Sequence, residues 1–329
     1  MGDVAMSVPV LRAFTSQNPN IKITFLSRAF LKPLFENIPN VSFYAADVDK
    51  SHKGIAGLFK LANELKTLNI DAVADIHNVL RSKTLRFIFS FSRNKIAVID
   101  KGRSEKKALT RTKKKIFKQL KSTHERYADV FRDLGFTLDL STPQFPKKKK
   151  IPRNIKSLIK DDKKLIGIAP FAQYQSKMYP LDLMEKVISI LNEDNRNQII
   201  LFGGGKNEIE KLGLLEGKYK NVISLAGKIK LGDELNVISH LDCMVSMDSA
   251  NAHLAAMQGV KTITVWGVTH PYTGFYPFDQ PMNYALIPDL KKYPDIPCSI
   301  YGNKVCDGYE DVMRTITPNK IMDNIQKII

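Results

Sequence analysis

No apolar run in this sequence of 329 residues approaches the roughly 20 needed to cross a bilayer. The start carries no basic segment followed by an apolar stretch, so it does not read as a secretory signal. Cysteine is scarce: Cys243, Cys298 and Cys306 are all there are. Three cysteines argue against a disulfide scaffold and suit a reducing cytosol. The spacing of Cys298 and Cys306 in "PCSIYGNKVC" matches no common metal site, and no histidine lies near them. A complete dinucleotide fingerprint is also missing, because "LFGGGKNEIEKL" (201–212) has neither the G-x-G-x-x-G spacing nor a P-loop. There is no acidic cluster of the kind that would hold a metal beside a diphosphate. These absences exclude a membrane span and a secreted scaffold, and no metal or cofactor is expected.

Acidic residues are thin in the first half. Residues 1–150 carry 29 Lys/Arg against 13 Asp/Glu, whereas residues 151–329 carry 21 against 20. Nearly all of the net charge of +17 therefore lies in the first half. Such a surface attracts anions: nucleic acid, an acidic membrane or a phosphorylated substrate. Nucleic acid is not expected, since the basic run at 101–121 lacks interleaved aromatics and no nucleic-acid motif occurs. That run, with ten basic residues and one acidic, reads either as a solvated mobile loop or as an anion-binding flap.

The length favours two domains. Short apolar runs at 21–27, 41–47, 70–78 and 94–100 alternate with helical patterns such as "GIAGLFKLANELKTL" (54–68). A proline- and lysine-rich stretch (141–154) marks a linker, placing domains at 1–150 and 151–329. The second half repeats the rhythm, with strands at 164–170, 197–205, 221–227, 242–248 and 261–267. Strands alternating with helices give an α/β chain of two doubly wound parallel sheets. Ligands bind such folds at the carboxyl ends of the strands. The last helix is a candidate to pack back on the first domain.

The chemistry concentrates at a few turns. "MVSMDSANAHLAAMQG" (244–259) is a buried strand ending at Asp248, then Ser249 at a helix start. One reading is a pyrophosphate cradle, with Asp248 bonding a sugar or bracing the turn. The other is an ordinary capped helix with a packed His253. In "GIAPFAQYQSKMYP" (167–180), Lys177 follows a strand's carboxyl end, where it either balances a phosphate or is a surface lysine. Gly203 and Gly204 signal a tight turn. Glu208 reads as a nucleoside contact or as an exposed helical residue. His77 in "DIHNVLRS" either faces a ligand or is structural.

Taken together, "GDVAMSVPVLRAF", "DIHNVLRS", "QSKMYP", "LFGGGKNE", "ISLAGKIKLGDELNVISHLD" and "MDSANAHLAAMQGVKTITVWGVTHP" resemble glycosyltransferase family 9, the ADP-heptose:lipopolysaccharide heptosyltransferases. The tail from "IPCSIYGNKVC" onward is similar to the end of that family. The resemblance implies a GT-B fold, two Rossmann-like domains facing across a cleft. It implies inverting, metal-independent transfer of a heptose or related sugar from an ADP-sugar to a lipid A–core acceptor. By resemblance, Asp3 is the general base and Lys177 contacts the donor phosphate. Ser176, Gly203, Gly204, Glu208, Asp248, Ser249, Ala250, Asn251 and His253 then surround the donor. His77, Arg81, Lys113 and Lys114 are the acceptor candidates. The implied partners are a nucleotide-sugar and a phosphorylated lipid or oligosaccharide at an anionic membrane. The implied location is the cytoplasm, peripheral on the inner membrane. Many members have glycine where this chain has Ala250.

The chemistry is coherent without the resemblance. A carboxylate can take the acceptor hydroxyl's proton, and a lysine with helix N-termini can neutralise a departing diphosphate. Members of the family carry an apolar strand before the Gly2-Asp3 turn. Here that turn follows Met1 directly, so the first strand of the first domain is expected to be missing. A nucleotide-sugar-binding protein without transfer is the alternative function.

Overall fold

The computed structural model describes residues 1–304 and 306–329. The chain divides into two units. One comprises Met1–Ala5, Arg103–Leu120 and Phe145–Ile329; the other comprises Met6–Gly102 and Lys121–Gln144. Among the described residues, no helix is long and apolar enough to cross a membrane.

The smaller unit contains strands β1 (Ile23–Ser27), β2 (Val41–Ala45), β3 (Ala72–Asp75) and β4 (Lys95–Val98). Its helices are most of α1 (Gly2–Gln17), α2 (Gly54–Lys66), α3 (Leu80–Ser90) and α5 (Thr123–Asp133); α4 (Arg103–Thr110) belongs to the larger unit. β1 pairs with β2 and β3 with β4, both in parallel, as two separate sheets. A doubly wound order would join them through one more strand, and no described residue supplies it. Helix α1 begins at Gly2. Leu58, Leu61, Ala62 and Leu65 of α2 pack with Ile88 and Phe89 of α3. Phe14 of α1 stacks on Phe131 of α5 at 4.5 Å. Helix α5 starts where the Ser122 hydroxyl accepts the Glu125 N–H at 3.1 Å, a side-chain cap for one otherwise orphaned donor.

The larger unit holds β5 (Lys164–Ala169), β6 (Asn197–Leu201), β7 (Val222–Ser224), β8 (Cys243–Met247), β9 (Thr262–Val265) and β10 (Ala285–Leu286). They form one sheet in the order β10-β9-β8-β5-β6-β7, parallel throughout. All residues of β6, β8 and β9 are buried. Burial on both faces is what a parallel sheet covered by helices requires, and it takes in the polar Asn197, Gln198, Ser246, Thr262 and Thr264 as well. Its helices are α4, α6 (Arg153–Lys156), α7 (Leu181–Glu193), α8 (Lys206–Lys218), α9 (Leu231–Ile238), α10 (Ala250–Ala256) and α11 (Pro318–Ile328). On α7, Met184, Val187, Ile188 and Leu191 face the core at helical spacing. The last helix packs within this same unit: Ile321, Met322, Ile325 and Ile328 of α11 enter its core. Thr317 caps α11, with Pro318 at its first position.

Two expectations are corrected. The basic run is not a mobile loop throughout. Its residues Arg103–Thr110 form α4, in which Lys106 and Leu109 are buried, and the Leu120 N–H donates to Tyr272 O at 3.0 Å. Apolar and aliphatic surface within the run is packed away, which charge counting does not reveal. Three cysteines argued against a disulfide scaffold, yet Cys298 and Cys306 form a disulfide with their Cα atoms 6.3 Å apart. The chain reverses between them at Gly302, whose φ is +77°. Cys243 is a free, buried thiol, and burial pushes its pKa up to about 12.

Candidate active site

The order of the six-stranded sheet decides where the site forms. The chain runs outward from β5 through β6 to β7, then returns to β8 on the other side of β5. The loops after β5 and β8 therefore leave the sheet in divergent directions at a topological switch point. The loop after β5 carries Lys177 in a short 3-10 turn, Gln175–Lys177. The loop after β8 carries Asp248. Their side chains meet: Lys177 Nζ lies 2.9 Å from Asp248 Oδ2, at 13% and 8% side-chain exposure. Thr269 Oγ1 donates to the same oxygen at 2.9 Å. So the carboxylate of a buried strand end is held by an ammonium and a hydroxyl, from three separate loops.

The start of α1 lies against α10. A Cβ built on Gly2 would sit 3.5 Å from His253 Cδ2 and 3.9 Å from Ala250 Cα. Asp3 is exposed in the first turn of α1. His253 is buried on α10, and its Nδ1 has no hydrogen-bond partner. Burial first, then Lys177 and the chain's own amino terminus, push its pKa down to about 3. The ring is therefore neutral at physiological pH. Ser249 begins α10 without a side-chain cap, and its Oγ lies 3.1 Å from Ser246 Oγ. Lys177 and Asp248 are thus paired, Ser249, Ala250, Asn251 and His253 follow Asp248 at the start of α10, and Asp3 adjoins Gly2, which lies by His253 and Ala250.

Ser176 donates its hydroxyl to Gly302 O at 2.6 Å. Its own carbonyl accepts the Val268 N–H at 3.3 Å. Gly267 passes so close that a Cβ there would lie 2.1 Å from Ser176 O. Gly203, Gly204 and Glu208 form a local cluster at the end of β6, where Glu208 Oε2 accepts the Gly204 N–H at 2.8 Å. That carboxylate braces its own turn. Lys113 and Lys114 are exposed on the turn after α4, where Arg111 Nε donates to Lys114 O at 2.6 Å.

His77 and Arg81 lie in the smaller unit, exposed beyond the carboxyl end of β3. Buried Asp75 organises their loop. It accepts the N–H groups of His77 and Asn78 at 2.9 and 2.7 Å and pairs with Arg86 Nε at 2.9 Å.

Sequence reasoning missed several contributors. Thr269 and Gly267 follow β9 in "VWGVTHP", a block noted for its resemblance but not for these contacts. His270 is buried, and its Nδ1 accepts the Tyr272 N–H at 3.1 Å. Burial and Lys115 push its pKa down to about 4. Lys115 itself donates to Asp295 O and Pro297 O. Glu234, on the first turn of α9, has its carboxyl pushed up to about 7 by burial.

With this geometry in view, the family model of glycosyltransferase family 9 (heptosyltransferase) matches residues 58–295. The chain belongs to glycosyltransferase family 9. It is a glycosyltransferase of the heptosyltransferase family. Lipooligosaccharide heptosyltransferase 2 of Campylobacter jejuni is 24% identical to it over 339 aligned positions, covering 100% of this chain and 96% of that one. Lipopolysaccharide core heptosyltransferase OpsX of Haemophilus influenzae is 23% identical, covering 82% of this chain and 77% of the other. Among solved structures, a family 9 glycosyl transferase from Veillonella parvula superposes with a TM-score of 0.75 at 18% identity, covering 99% and 94% of the two chains. The Escherichia coli heptosyltransferase WaaC, solved with ADP, superposes with a TM-score of 0.71 at 20% identity, covering 100% and 97%. These likenesses establish the fold of this glycosyltransferase as GT-B, with its six-stranded parallel sheet in the larger unit.

Proposed function

We propose that this glycosyltransferase moves a heptose from an ADP-sugar to a lipopolysaccharide inner-core acceptor, with inversion and without a metal. The observation that carries the reading is the buried Lys177–Asp248 pair at the sheet's switch point, with the exposed Asp3 carboxylate on the neighbouring start of α1. Asp3 takes the proton of the acceptor hydroxyl. That oxygen bonds to the anomeric carbon while the bond from this carbon to the diphosphate oxygen breaks. Attack from the opposite face inverts the centre. The departing diphosphate gains negative charge as the bond breaks. Lys177 has three N–H donors and spends one on Asp248, which leaves others for a phosphate oxygen. Asp248 and Thr269 hold the ammonium in place. Neutral His253, with Nδ1 free of a protein partner, offers a polar contact to the donor.

Names of the relatives support the sugar and acceptor, since they are lipooligosaccharide and lipopolysaccharide heptosyltransferases. The larger unit is the donor domain in this reading, and the loop of His77 and Arg81 contributes to acceptor binding. Docking on the cytoplasmic face of an anionic membrane is part of the proposal. Helix α3 supports it: Leu80 and Phe87 are exposed on one helical face two turns apart, continued by Phe91 just beyond its end. Exposed Arg81, Lys83 and Arg93 accompany them, and each basic residue near such a surface contributes about 1 kcal/mol.

The test is ADP release from ADP-heptose with a heptose-deficient core acceptor. Asp3→Asn is expected to lower kcat by about 100-fold or more, the range of a lost general base. Turnover within a few-fold of the parent would remove Asp3 from the role. A second reading is favoured by the separation of β1–β2 from β3–β4: donor binding without transfer. Calorimetry that shows ADP binding, with no turnover of any ADP-sugar, would select it.

A further inference from the structure

One loop lies on the turn that carries Ser176 and Lys177. Residues 298–304 run from the Cys298–Cys306 disulfide across the Ser176–Lys177 turn. The loop is anchored at its base, where the N–H groups of Cys298 and Ser299 both point to Val268 O, at 3.2 and 3.5 Å. Val268 in turn donates to Ser176 O. At its crest, the Gly302 N–H donates to Ser299 Oγ at 3.0 Å, and Gly302 O accepts from Ser176 Oγ at 2.6 Å. Ser176 is therefore gripped through both its carbonyl and its hydroxyl. Gly302 also lies directly on the next side chain. A Cβ at this position would stand 2.5 Å from both Cγ and Cδ of Lys177, and its φ of +77° disfavours any side chain. The aliphatic stem of Lys177 thus runs beneath bare backbone and delivers Nζ to Asp248. Beside Gly302, Tyr301 stacks on Phe275 at 5.6 Å. Its phenol is raised by burial and by the charge of Asp3, against an opposing effect of Arg103.

We propose that this disulfide-closed loop is a positioning clasp for Lys177, with Gly302 and the Ser176–Gly302 bond as its contact points. A lysine stem has four rotatable bonds and is otherwise mobile. A clasp that fixes it places the ammonium before the diphosphate arrives, and misplacement of about 1 Å can cost about 100-fold in rate. The clasp rests on the reading of Lys177 as the group that faces the diphosphate. Gly302, Ser299 and the two cysteines are positioning residues in this scheme and need not touch the sugar.

The test uses the full chain, with ADP release and ADP calorimetry run in parallel. Gly302→Ala is expected to lower kcat by about 100-fold, leaving the acceptor KM unchanged. Ser176→Ala is expected to lower kcat and weaken ADP by about tenfold, the equivalent of one neutral hydrogen bond. Ser176→Thr keeps the hydroxyl and restores both to within about twofold of the parent on the same scale. Cys298→Ser opens the clasp and falls between the parent and Gly302→Ala. Thermal melts accompany each variant, and Ser176→Ala keeps the test decisive where Gly302→Ala does not fold. Parent-like kcat in Ser176→Ala, or equal losses in Ser176→Thr and Ser176→Ala, would overturn the clasp. If the parent binds ADP but turns over no ADP-heptose, the heptosyltransfer reading fails, and the ADP affinities of the same variants still decide the clasp.

Discussion

Replacing Lys177 with methionine separates what the Lys177–Asp248 pair does for stability from what it does for chemistry. The pair is 2.9 Å apart, with side chains 13% and 8% exposed. Methionine fills the stem's volume but leaves Asp248 with Thr269 as its side-chain donor. Removing one partner of a buried pair costs about 3–5 kcal/mol, because the remaining charge is uncompensated. Lys177→Met/Asp248→Asn removes that charge as well, and an asparagine oxygen can still accept from Thr269. The double variant is therefore expected to be about 2 kcal/mol or more above Lys177→Met in stability. Activity should not follow. Loss of a charge that stabilises the leaving group lowers kcat by about 100- to 1,000-fold, and the double variant should remain as slow as the single. The chain's single tryptophan, Trp266, is fully buried in the same unit and reports its urea transition. ADP release reports the rate. Additive stability losses in the double variant, or recovery of its turnover, would refute the reasoning.

Acid should weaken the larger unit through its buried histidines. His253 and His270 titrate near 3 and 4 when folded, against 6.5 when unfolded, so their contribution is complete above 6.5 and is lost as pH falls toward the folded values. Each costs about 2 kcal/mol between pH 7 and 5. Glu234, raised to about 7, acts with the opposite sign but is common to both proteins when the parent is compared with His253→Gln. The urea midpoint of His253→Gln should fall less steeply with acid; parallel curves would count against a neutral buried His253. Phe87→Ser/Phe91→Ser should reduce flotation with anionic vesicles at least about tenfold, given about 1.5–3 kcal/mol per buried aromatic, while leaving turnover of a water-soluble acceptor intact. Unchanged flotation would remove α3 from the membrane contact. Gly267→Ala forces a Cβ to within 2.1 Å of Ser176 O and should lower the melting temperature, at an overpacking cost of about 1–3 kcal/mol; a parent-like melt would show that the backbone there gives way freely.

Much of the fold was legible because buried parallel strands advertise themselves. The runs at 164–170, 197–205, 242–248 and 261–267 contain β5, β6, β8 and β9, whose residues after Lys164 are all buried. Strand β10 has two residues and carries no period to read. Helix α3 escaped notice because Leu80 and Phe87 face outward while Ile88 and Phe89 face inward, so its apolar residues do not lie on one side. In the basic run, charge concealed a helix with Lys106 and Leu109 buried.

At the site, the sequence by itself determined the chemical types. It set an aspartate beside a helix start, a lysine after β5, and a buried strand ending in Asp248 before small residues. The residues alone left Lys177 balanced between a phosphate contact and a surface lysine, since local pattern does not tell a buried ammonium from a solvated one. Only the tertiary structure decided that Lys177 pairs with Asp248, that Thr269 shares the same oxygen, and that Gly302 lies on the lysine stem. Those partners are separated by tens to more than a hundred residues along the chain. The order of the six strands brings their loops to one switch point, and strand order is a property of packing among all six rather than of any one segment.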